Sequence, residues 1–313
     1  MILASSPTLS VVVPVYRGGD VLTELLQRLA YTLEKMTITY EIILVDDASP
    51  EPVDWQLIQA AASQDPRIMG LRLSRNFGQH YALTAGLDRS AGEWVVVMDC
   101  DLQDQPEEIP RLLAKAHQGY EAVLAHRHTR TDTHSTRWGS WLFYQVLTRL
   151  TGQAQNSGVG NFGIYHRQLI DVLVQMRETT RYFPTLVRWA GFRQTTLAVT
   201  HGRSTRPSSY SLLSRLRLAL DILLTYSDKP LRLAVYFGLL LSGAAFFLGF
   251  IMLLRYLLGQ ITVPGYASLI VSISLFSGII ISLLGMVGLY VGKTFEGVRA
   301  RPLYIIAQTT HPE

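Results

Sequence analysis

Short apolar runs alternate with helical periodicity over the first part of the chain. The apolar runs are Leu9–Val15, Glu41–Val45, Ile68–Leu73, Glu93–Met98 and Glu121–Ala125. The clearest helical stretches are Val21–Leu33, Gly78–Leu87 and Pro106–His117. Short buried strands that alternate with helices are typical of an α/β fold with a mainly parallel sheet and helices on both faces. The sequence therefore predicts such a sheet.

Polar side chains follow the carboxyl ends of the predicted strands. They are Tyr16, Asp46, Asp47, Arg75, Asn76, Asp99 and Asp101. In open parallel sheets, ligands bind in the crevice beyond the carboxyl ends of the strands. We therefore expect a binding site at this edge of the sheet.

Two long uncharged apolar runs follow in the second part of the chain, at Leu233–Leu254 and Ala267–Gly292. Each reaches the ~20 residues that a bilayer core requires, and buried core helices are the less favoured alternative. Basic residues flank the pair at Lys229, Arg232, Lys293, Arg299 and Arg301. The positive-inside rule therefore predicts a multi-pass transmembrane hairpin (about 233–254 and 267–291) in an inner (plasma) membrane, with both ends cytoplasmic.

A helix with one polar stripe is predicted ahead of the first run, over Tyr210–Asp228. The stripe consists of Ser214, Arg217, Asp221, Thr225 and Asp228. This pattern is typical of a helix in the membrane interface, and packing on the preceding domain is the alternative. The predicted organisation is an α/β domain over 1–205, an amphipathic juxtamembrane segment over 206–230, two transmembrane helices within 231–292 and a cytosolic tail over 293–313.

Composition narrows the classes of partner. The net charge of +4 is mild, and no Lys/Arg run interleaved with aromatic residues indicates nucleic-acid binding. The single cysteine, Cys100, excludes an internal disulfide and suits a reducing compartment. The first ten residues lack a secretory signal pattern, so we expect a cytosolic first domain. His126, His128 and His134 could bind zinc, but without a Cys partner a solvated basic loop is favoured.

The triplet Asp99-Cys100-Asp101 leaves the buried strand that ends near Met98. Two carboxylates spaced in this way can converge on a hard divalent cation, and Gln103 adds a neutral oxygen ligand. Mg²⁺ or Mn²⁺ takes such ligands and completes its shell with substrate phosphates. A solvated acidic turn is the alternative, but the position at the end of an α/β strand favours a metal site.

Three further segments at the same edge carry candidate ligand-binding residues. In Asp46-Asp47-Ala48-Ser49, a carboxylate can accept hydrogen bonds from a base or ribose. A helix cap is the other interpretation, and we assign Asp46 to the ligand and Ser49 to the cap. Pro14-Val15-Tyr16 could wall a base pocket. Arg75-Asn76-Phe77-Gly78-Gln79 precedes a helix and is either an anion site or a structural turn that needs Gly78.

Four blocks together resemble the family 2 glycosyltransferases. In chain order they are Pro14-Val15-Tyr16, Asp46-Asp47-Ala48-Ser49, Arg75-Asn76-Phe77-Gly78-Gln79 and Asp99-Cys100-Asp101-Leu102-Gln103-Asp104. The similar branch holds dolichyl-phosphate mannose synthases and bacterial undecaprenyl-phosphate glycosyltransferases. The resemblance continues through Arg203, Ser208-Ser209-Tyr210, Asp228-Lys229-Pro230-Leu231-Arg232 and Arg299-Ala300-Arg301-Pro302-Leu303-Tyr304. It implies a GT-A fold, a nucleotide-sugar donor of the UDP or GDP type, inverting transfer and a homotetramer.

The resemblance also implies roles for individual residues. Pro14, Val15, Tyr16 and Asp46 would line the nucleoside pocket, with Asp47, Arg75, Asn76 and Gln79 beside it. Asp99, Asp101 and Gln103 would hold the metal against the diphosphate. Arg127 and Arg137, with Ser140, match positions that bind the acceptor phosphate, and Arg203 matches a basic residue that reaches the site. The sequence departs from the family pattern at Arg17-Gly18-Gly19-Asp20, Cys100, Asn161 and Leu289.

The expected activity is transfer of a monosaccharide to a polyprenyl phosphate, for cell-envelope or lipopolysaccharide glycan modification. One alternative keeps the enzyme and changes the acceptor to a lipid-diphosphate saccharide or polysaccharide. A second alternative is a membrane-anchored nucleotide-sugar-binding protein without activity. Asp99, Asp101, Gln103 and Arg203 favour the enzyme.

Overall fold

The computed structural model describes residues 7–127, 159–178, 181–200, 202, 229–260, 265–299 and 301–311. The described residues form two compact units. The second unit holds 229–260 and 265–299, and the first holds the remaining described residues. The predicted interfacial helix at Tyr210–Asp228 lies outside the described residues.

The first unit contains an eight-stranded sheet. Its strands are β1 (Leu9–Val15), β2 (Tyr40–Asp46), β3 (Ile68–Leu73), β4 (Trp94–Val97), β5 (Ala122–Arg127), β6 (Val159–His166), β7 (Gln194–Val199) and β8 (Ile306–Thr309). The strand order is β7-β5-β6-β4-β1-β2-β3-β8. Only β6 and β8 run antiparallel to their neighbours among these strands. The predicted mainly parallel sheet is confirmed.

Helices cover the sheet where apolar residues recur at helical spacing. They are α1 (Asp20–Lys35), α2 (Val53–Gln64), α3 (Gln79–Arg89), α4 (Ile109–Ala116), α5 (Arg167–Gln175) and α6 (Phe183–Trp189). In α1 the buried positions include Leu22, Leu25 and Leu29, which repeat every three to four residues. In α3, Gly86 permits close packing, because a Cβ there would lie 2.3 Å from Val12 Cγ1 of β1.

The tail after residue 300 completes the sheet, which the sequence did not predict. Strand β8 pairs antiparallel with β3. The amide of Ser74, just after β3, donates to the carbonyl of Ile305 (2.9 Å). The hydroxyl of Tyr304 also donates to the carboxylate of Asp88 at the end of α3. The tail is therefore part of the α/β unit.

The second unit contains two long helices, α7 (Lys229–Leu257) and α8 (Tyr266–Val298). Large apolar side chains on both helices are exposed. Within the described residues, Leu275–Val298 is the one stretch long and apolar enough to cross a membrane, judged by length and composition alone, and a shorter apolar stretch covers Leu233–Leu248. Both predicted spans fall on helices, and a membrane crossing by both remains a prediction.

Candidate active site

The acidic loop after β4 forms a tight turn. The carboxylate of Asp101 accepts hydrogen bonds from the amide N–H of Gln103 (3.1 Å) and from Gln103 Nε2 (2.5 Å). Leu102, between them, has a φ of 59°, which is unusual for a residue with a side chain. The turn therefore holds Asp101 and Gln103 side by side, and their role as ligands of one ion remains a prediction.

Asp99 is connected to the neighbouring helix. Its Oδ1 accepts from Gln79 Nε2 at the first residue of α3 (2.6 Å). Its backbone N–H donates to Asp104 Oδ2 (3.1 Å), and Asp104 is buried. The predicted site residues Gln79 and Asp99 are therefore in contact.

Hard oxygen donors dominate this loop, which suits Mg²⁺ or Mn²⁺. The carboxylate of Asp101 accepts from the side-chain amide N–H of Gln103, and a cation could take the place of that donor. Among the described residues, no three His, Cys, Asp or Glu side chains cluster as a metal site. An ion bound by Asp99, Asp101 and Gln103 would therefore need further oxygen ligands, such as substrate phosphates.

Asp46 ends β2 with its side chain fully buried. Its Oδ1 accepts from the Ser49 N–H (2.8 Å), and Arg72 Nε lies 3.3 Å from Oδ2. Burial raises the pKa of Asp46, and the hydrogen bond from Ser49 opposes that rise. Oδ2 has no hydrogen-bond partner among the described residues. One buried acceptor thus remains at this strand end.

Ser49 does not cap α2, so that part of the prediction was wrong. The helix begins at Val53, with Pro52 in the cap position and no side-chain cap. Ser49 Oγ instead accepts from the backbone N–H of Arg17 (3.0 Å). The hydroxyl therefore joins the loop after β2 to the loop after β1, which a local sequence pattern does not reveal.

Asp47 fixes the loop that precedes α3. Its carboxylate accepts from the backbone N–H groups of Phe77 and Gly78, each at 2.8 Å. Burial raises the pKa of Asp47, and these two hydrogen bonds oppose the rise. Gly78 has a φ of 106°, which favours glycine. The described contacts match the structural-turn interpretation, since Asp47 occupies two of the N–H groups that an anion would use.

Arg75 and Asn76 are exposed in this same loop. The guanidinium of Arg75 lies 4.1 Å from the centre of the Phe77 ring. Arg75 Nη1 also donates to the Asn76 carbonyl (3.2 Å). Both residues are accessible to a ligand, and their predicted contact with a nucleotide remains a prediction.

Asp54, which the sequence analysis missed, fixes the turn after β1. Asp54 is 1% exposed, and its carboxylate accepts from the N–H groups of Gly18 (2.8 Å) and Gly19 (2.7 Å). Arg17, just before these glycines, has a φ of 56°. The only sequence signal was an acidic residue in the first turn of α2, and such residues are common there for helix-dipole reasons.

The first predicted pocket segment is only partly accessible. Val15 is fully buried and packs in the hydrophobic core, and Pro14 is also buried. Tyr16 is 39% exposed. Val15 would therefore reach a ligand through its backbone, whereas Tyr16 can offer its ring.

The predicted acceptor residues are only partly described. Arg127 is the last residue of β5, and its backbone pairs with Val199 of β7. Arg137, Ser140 and Arg203 lie outside the described residues, as do His128 and His134. The neighbour of Arg203 is described: the Gly202 N–H donates to the carbonyl of Gln103 in the acidic loop (2.9 Å).

Three loops at the carboxyl edge each contain a strained residue with a side chain. Arg17, Ala48 (φ 51°) and Leu102 follow β1, β2 and β4. Strained backbone of this kind persists where surrounding contacts fix it, and it occurs often at functional sites. Fold and site together define an α/β domain whose candidate site residues follow the carboxyl ends of its strands.

The chain belongs to glycosyl transferase family 2, whose family model matches residues 10–174. It is 37% identical over 304 residues to an uncharacterized glycosyltransferase, YkcC, of Bacillus subtilis (96% of this chain and 93% of that protein). It is 36% identical to sll0501 of Synechocystis, also named an uncharacterized glycosyltransferase (96% and 94%). It is 34% identical to the undecaprenyl-phosphate 4-deoxy-4-formamido-L-arabinose transferase of Proteus mirabilis (95% and 92%). The resemblance drawn from the sequence is confirmed.

Proposed function

We propose that this chain transfers a monosaccharide from a nucleotide-diphosphate sugar to a polyprenyl phosphate, with inversion at the anomeric carbon. The observation that carries the proposal is the acidic loop, where Asp101 contacts Gln103 and Asp99 contacts Gln79 of α3. Similarity to the Proteus mirabilis transferase over 95% of this chain supports the acceptor class. The product would serve cell-envelope glycan synthesis.

On the donor side, Asp99, Asp101 and Gln103 would hold Mg²⁺ or Mn²⁺ against the diphosphate. When bound, the cation would offset negative charge on the departing nucleotide diphosphate. Gln79 would orient Asp99 through the hydrogen bond already present. Asp46 Oδ2, which lies 3.3 Å from Arg72 Nε, would accept a hydrogen bond from the base, and the exposed Tyr16 ring would cover the base.

On the acceptor side, a phosphate monoester has a second pKa near ~6, so it is already an oxyanion at neutral pH. It needs cationic groups to hold it rather than a strong general base. Arg127, Arg137 and Arg203, with Ser140, would supply them, since a guanidinium binds phosphate through two hydrogen bonds. A phosphate oxygen forms the bond to the anomeric carbon as the bond to the nucleotide diphosphate breaks.

The apolar helices would keep this chemistry at the bilayer surface. We propose that α7 and α8 cross an inner membrane as a hairpin, with the α/β unit and both termini on the cytoplasmic side. Uncharged stretches on both helices and flanking basic residues support this topology. Anchoring raises the local concentration of lipid phosphate near the site.

The test is incubation of membranes containing the full chain with labelled nucleotide sugars, undecaprenyl phosphate and Mn²⁺ or Mg²⁺. The expected product is a lipid that carries one sugar and releases it in mild acid. Label found only on oligosaccharide would replace the acceptor with a lipid-diphosphate saccharide or polysaccharide. Binding of a nucleotide sugar without any transfer across the donor set would contradict an enzymatic role.

A further inference from the structure

The segment that follows β7 runs beside the acidic loop. The backbone N–H of Thr200 donates to Glu108 Oε1 (3.1 Å), and Glu108 is buried. Two residues later, the Gly202 N–H donates to the carbonyl of Gln103 (2.9 Å). The segment is therefore fixed at alternate residues, first to the short turn before α4 and then to the acidic loop.

There is no room for a side chain at Gly202. A Cβ there would lie 2.4 Å from the Leu102 carbonyl oxygen and 3.3 Å from the Gln103 Cα. Both neighbours are backbone atoms, so no side-chain rotation could relieve the contact. Glycine is therefore needed at this position for space.

The contact falls on the strained part of the acidic loop. Leu102 has a φ of 59°, and its peptide links the two residues that face each other, Asp101 and Gln103. Strained conformations persist only where the surroundings enforce them. The Gly202 backbone packs on the Leu102 carbonyl and bonds to the next carbonyl along, so it supplies part of that enforcement.

We infer that Gly202 is a positioning residue for the acidic loop. Its backbone holds the Leu102 turn so that the Asp101 carboxylate and the Gln103 amide face one ligand. The inference rests on the proposed function, because it concerns the arrangement of the proposed metal ligands.

The test compares Gly202→Ala with Gly92→Ala in the full-length protein. A Cβ at Gly92 would lie 2.5 Å from the Ser10 backbone nitrogen, a comparable clash, but Gly92 precedes β4 at the opposite edge of the sheet. We expect Gly202→Ala to raise the Mn²⁺ concentration for half-maximal transfer roughly 10- to 100-fold, as for lost supporting contacts at metal sites. Gly92→Ala should lower the melting temperature and leave that concentration unchanged.

A second measurement requires no activity. Cys100 is the only cysteine in the chain and lies within the acidic loop, so its rate of reaction with a thiol reagent reports on loop conformation. Gly202→Ala should change that rate severalfold, whereas Gly92→Ala should leave it as in the wild type. Wild-type values for both quantities in Gly202→Ala, or equal changes in both variants, would overturn the inference.

The two proposals fail separately. If wild-type protein performs no metal-dependent transfer, the proposed function is wrong, and the Cys100 rate still decides whether Gly202 positions the loop. If Gly202→Ala does not fold, Glu108→Ala provides a variant without a clash, because it removes the oxygen that accepts the Thr200 N–H. We expect it to change the Cys100 rate in the same direction by a smaller factor, and an unchanged rate would overturn the inference.

Discussion

The two units differ in whether their large apolar side chains are buried or exposed. In the α/β unit, Leu9 and Leu44 are fully buried, whereas Phe246 of α7 is 79% exposed and Ile281 of α8 is 68% exposed. Apolar surface exposed to water is costly over areas this large. The exposed apolar side chains of α7 and α8 are therefore expected to contact lipid and not water.

The two units also differ in the hydrogen-bond partners of their polar side chains. In the α/β unit, buried carboxylates such as Asp47 and Asp54 bind backbone N–H groups of neighbouring loops. In α8, the hydroxyls of Ser282 and Thr294 donate to carbonyls one turn earlier in the same helix. A helix in lipid must satisfy its polar groups internally. Hydrogen bonds between distant loops thus hold the site together, whereas the cited hydroxyls of α8 bond within their own helix.

The largest expected effect comes from the acidic loop. Asp101→Asn keeps an acceptor for the Gln103 N–H but removes the charge that would bind a cation. We expect transfer to fall roughly 100- to 1000-fold, as when one electrostatic contact to a transition state is lost. Melting temperature should change little, because Asp101 is only partly buried.

The matched control is Asp171→Asn, which removes an exposed carboxylate from α5. It should leave transfer unchanged, as measured by product formation at saturating donor. Metal-dependent transfer by Asp101→Asn at the wild-type rate would show that the assignment of the acidic loop is wrong.

A charge placed on each unit tests the difference in solvent directly. Leu284 of α8 and Trp189 of α6 are each 64% exposed. Leu284→Arg should reduce the amount of protein in carbonate-washed membranes, because an arginine near a bilayer centre costs about 2.5–3.5 kcal/mol. Trp189→Arg should have no such effect. Equal recovery of the two variants in the membrane fraction would contradict a lipid-facing α8.

Strands β1 to β5 could be predicted because each lies in an apolar run, whereas β6, β7 and β8 were missed. Leu9–Val15 and Ile68–Leu73 were predicted with the bounds that the structure has. Strand β8 was not, because its four residues are mostly exposed and pair with β3 across most of the chain. Strand β6 (Val159–His166) was also missed, in a region that the pattern left irregular. Pairing at long range has no local signal.

For the site, as for the sheet, the sequence predicted local features but not the contacts between distant segments. Polar residues at strand ends could be placed at one edge, and Asp99 and Gln79 do meet there. Their partners could not be predicted, since the choice of partner depends on which loops the fold brings together. Ser49 is therefore bonded to Arg17 rather than to α2, and Asp54 was overlooked.

A smaller effect is expected from the turn after β1. Asp54→Ala leaves the N–H groups of Gly18 and Gly19 without their acceptor. We expect the free energy of unfolding of the α/β unit to fall by about 2–3 kcal/mol, the range for lost hydrogen bonds to a charged group. Thermal unfolding of the solubilised chain measures this, with the exposed Asp20 (Asp20→Ala) as control. A melting temperature as high as that of Asp20→Ala would contradict this role for Asp54.

The smallest expected effect is a pH dependence of stability from His80. Burial lowers the pKa of His80 from 6.5 to about 4, and the nearby Arg181 adds to the shift. The unfolded chain therefore binds more protons than the native protein between these values, so stability falls as pH drops from about 6.5 towards 4. The His80 Nδ1 has no hydrogen-bond partner among the described residues, so replacing His80 with phenylalanine breaks no hydrogen bond at that atom.

His80→Phe should remove this part of the pH dependence while keeping an aromatic ring against Tyr182. Relative to pH 8, the variant should lose about 1 kcal/mol less stability than the wild type near pH 5. Asp46 and Asp47, with raised pKa values, contribute with the opposite sign, so the difference between wild type and variant isolates the histidine. Parallel stability curves from pH 8 to 5 would mean that His80 titrates normally in the folded protein.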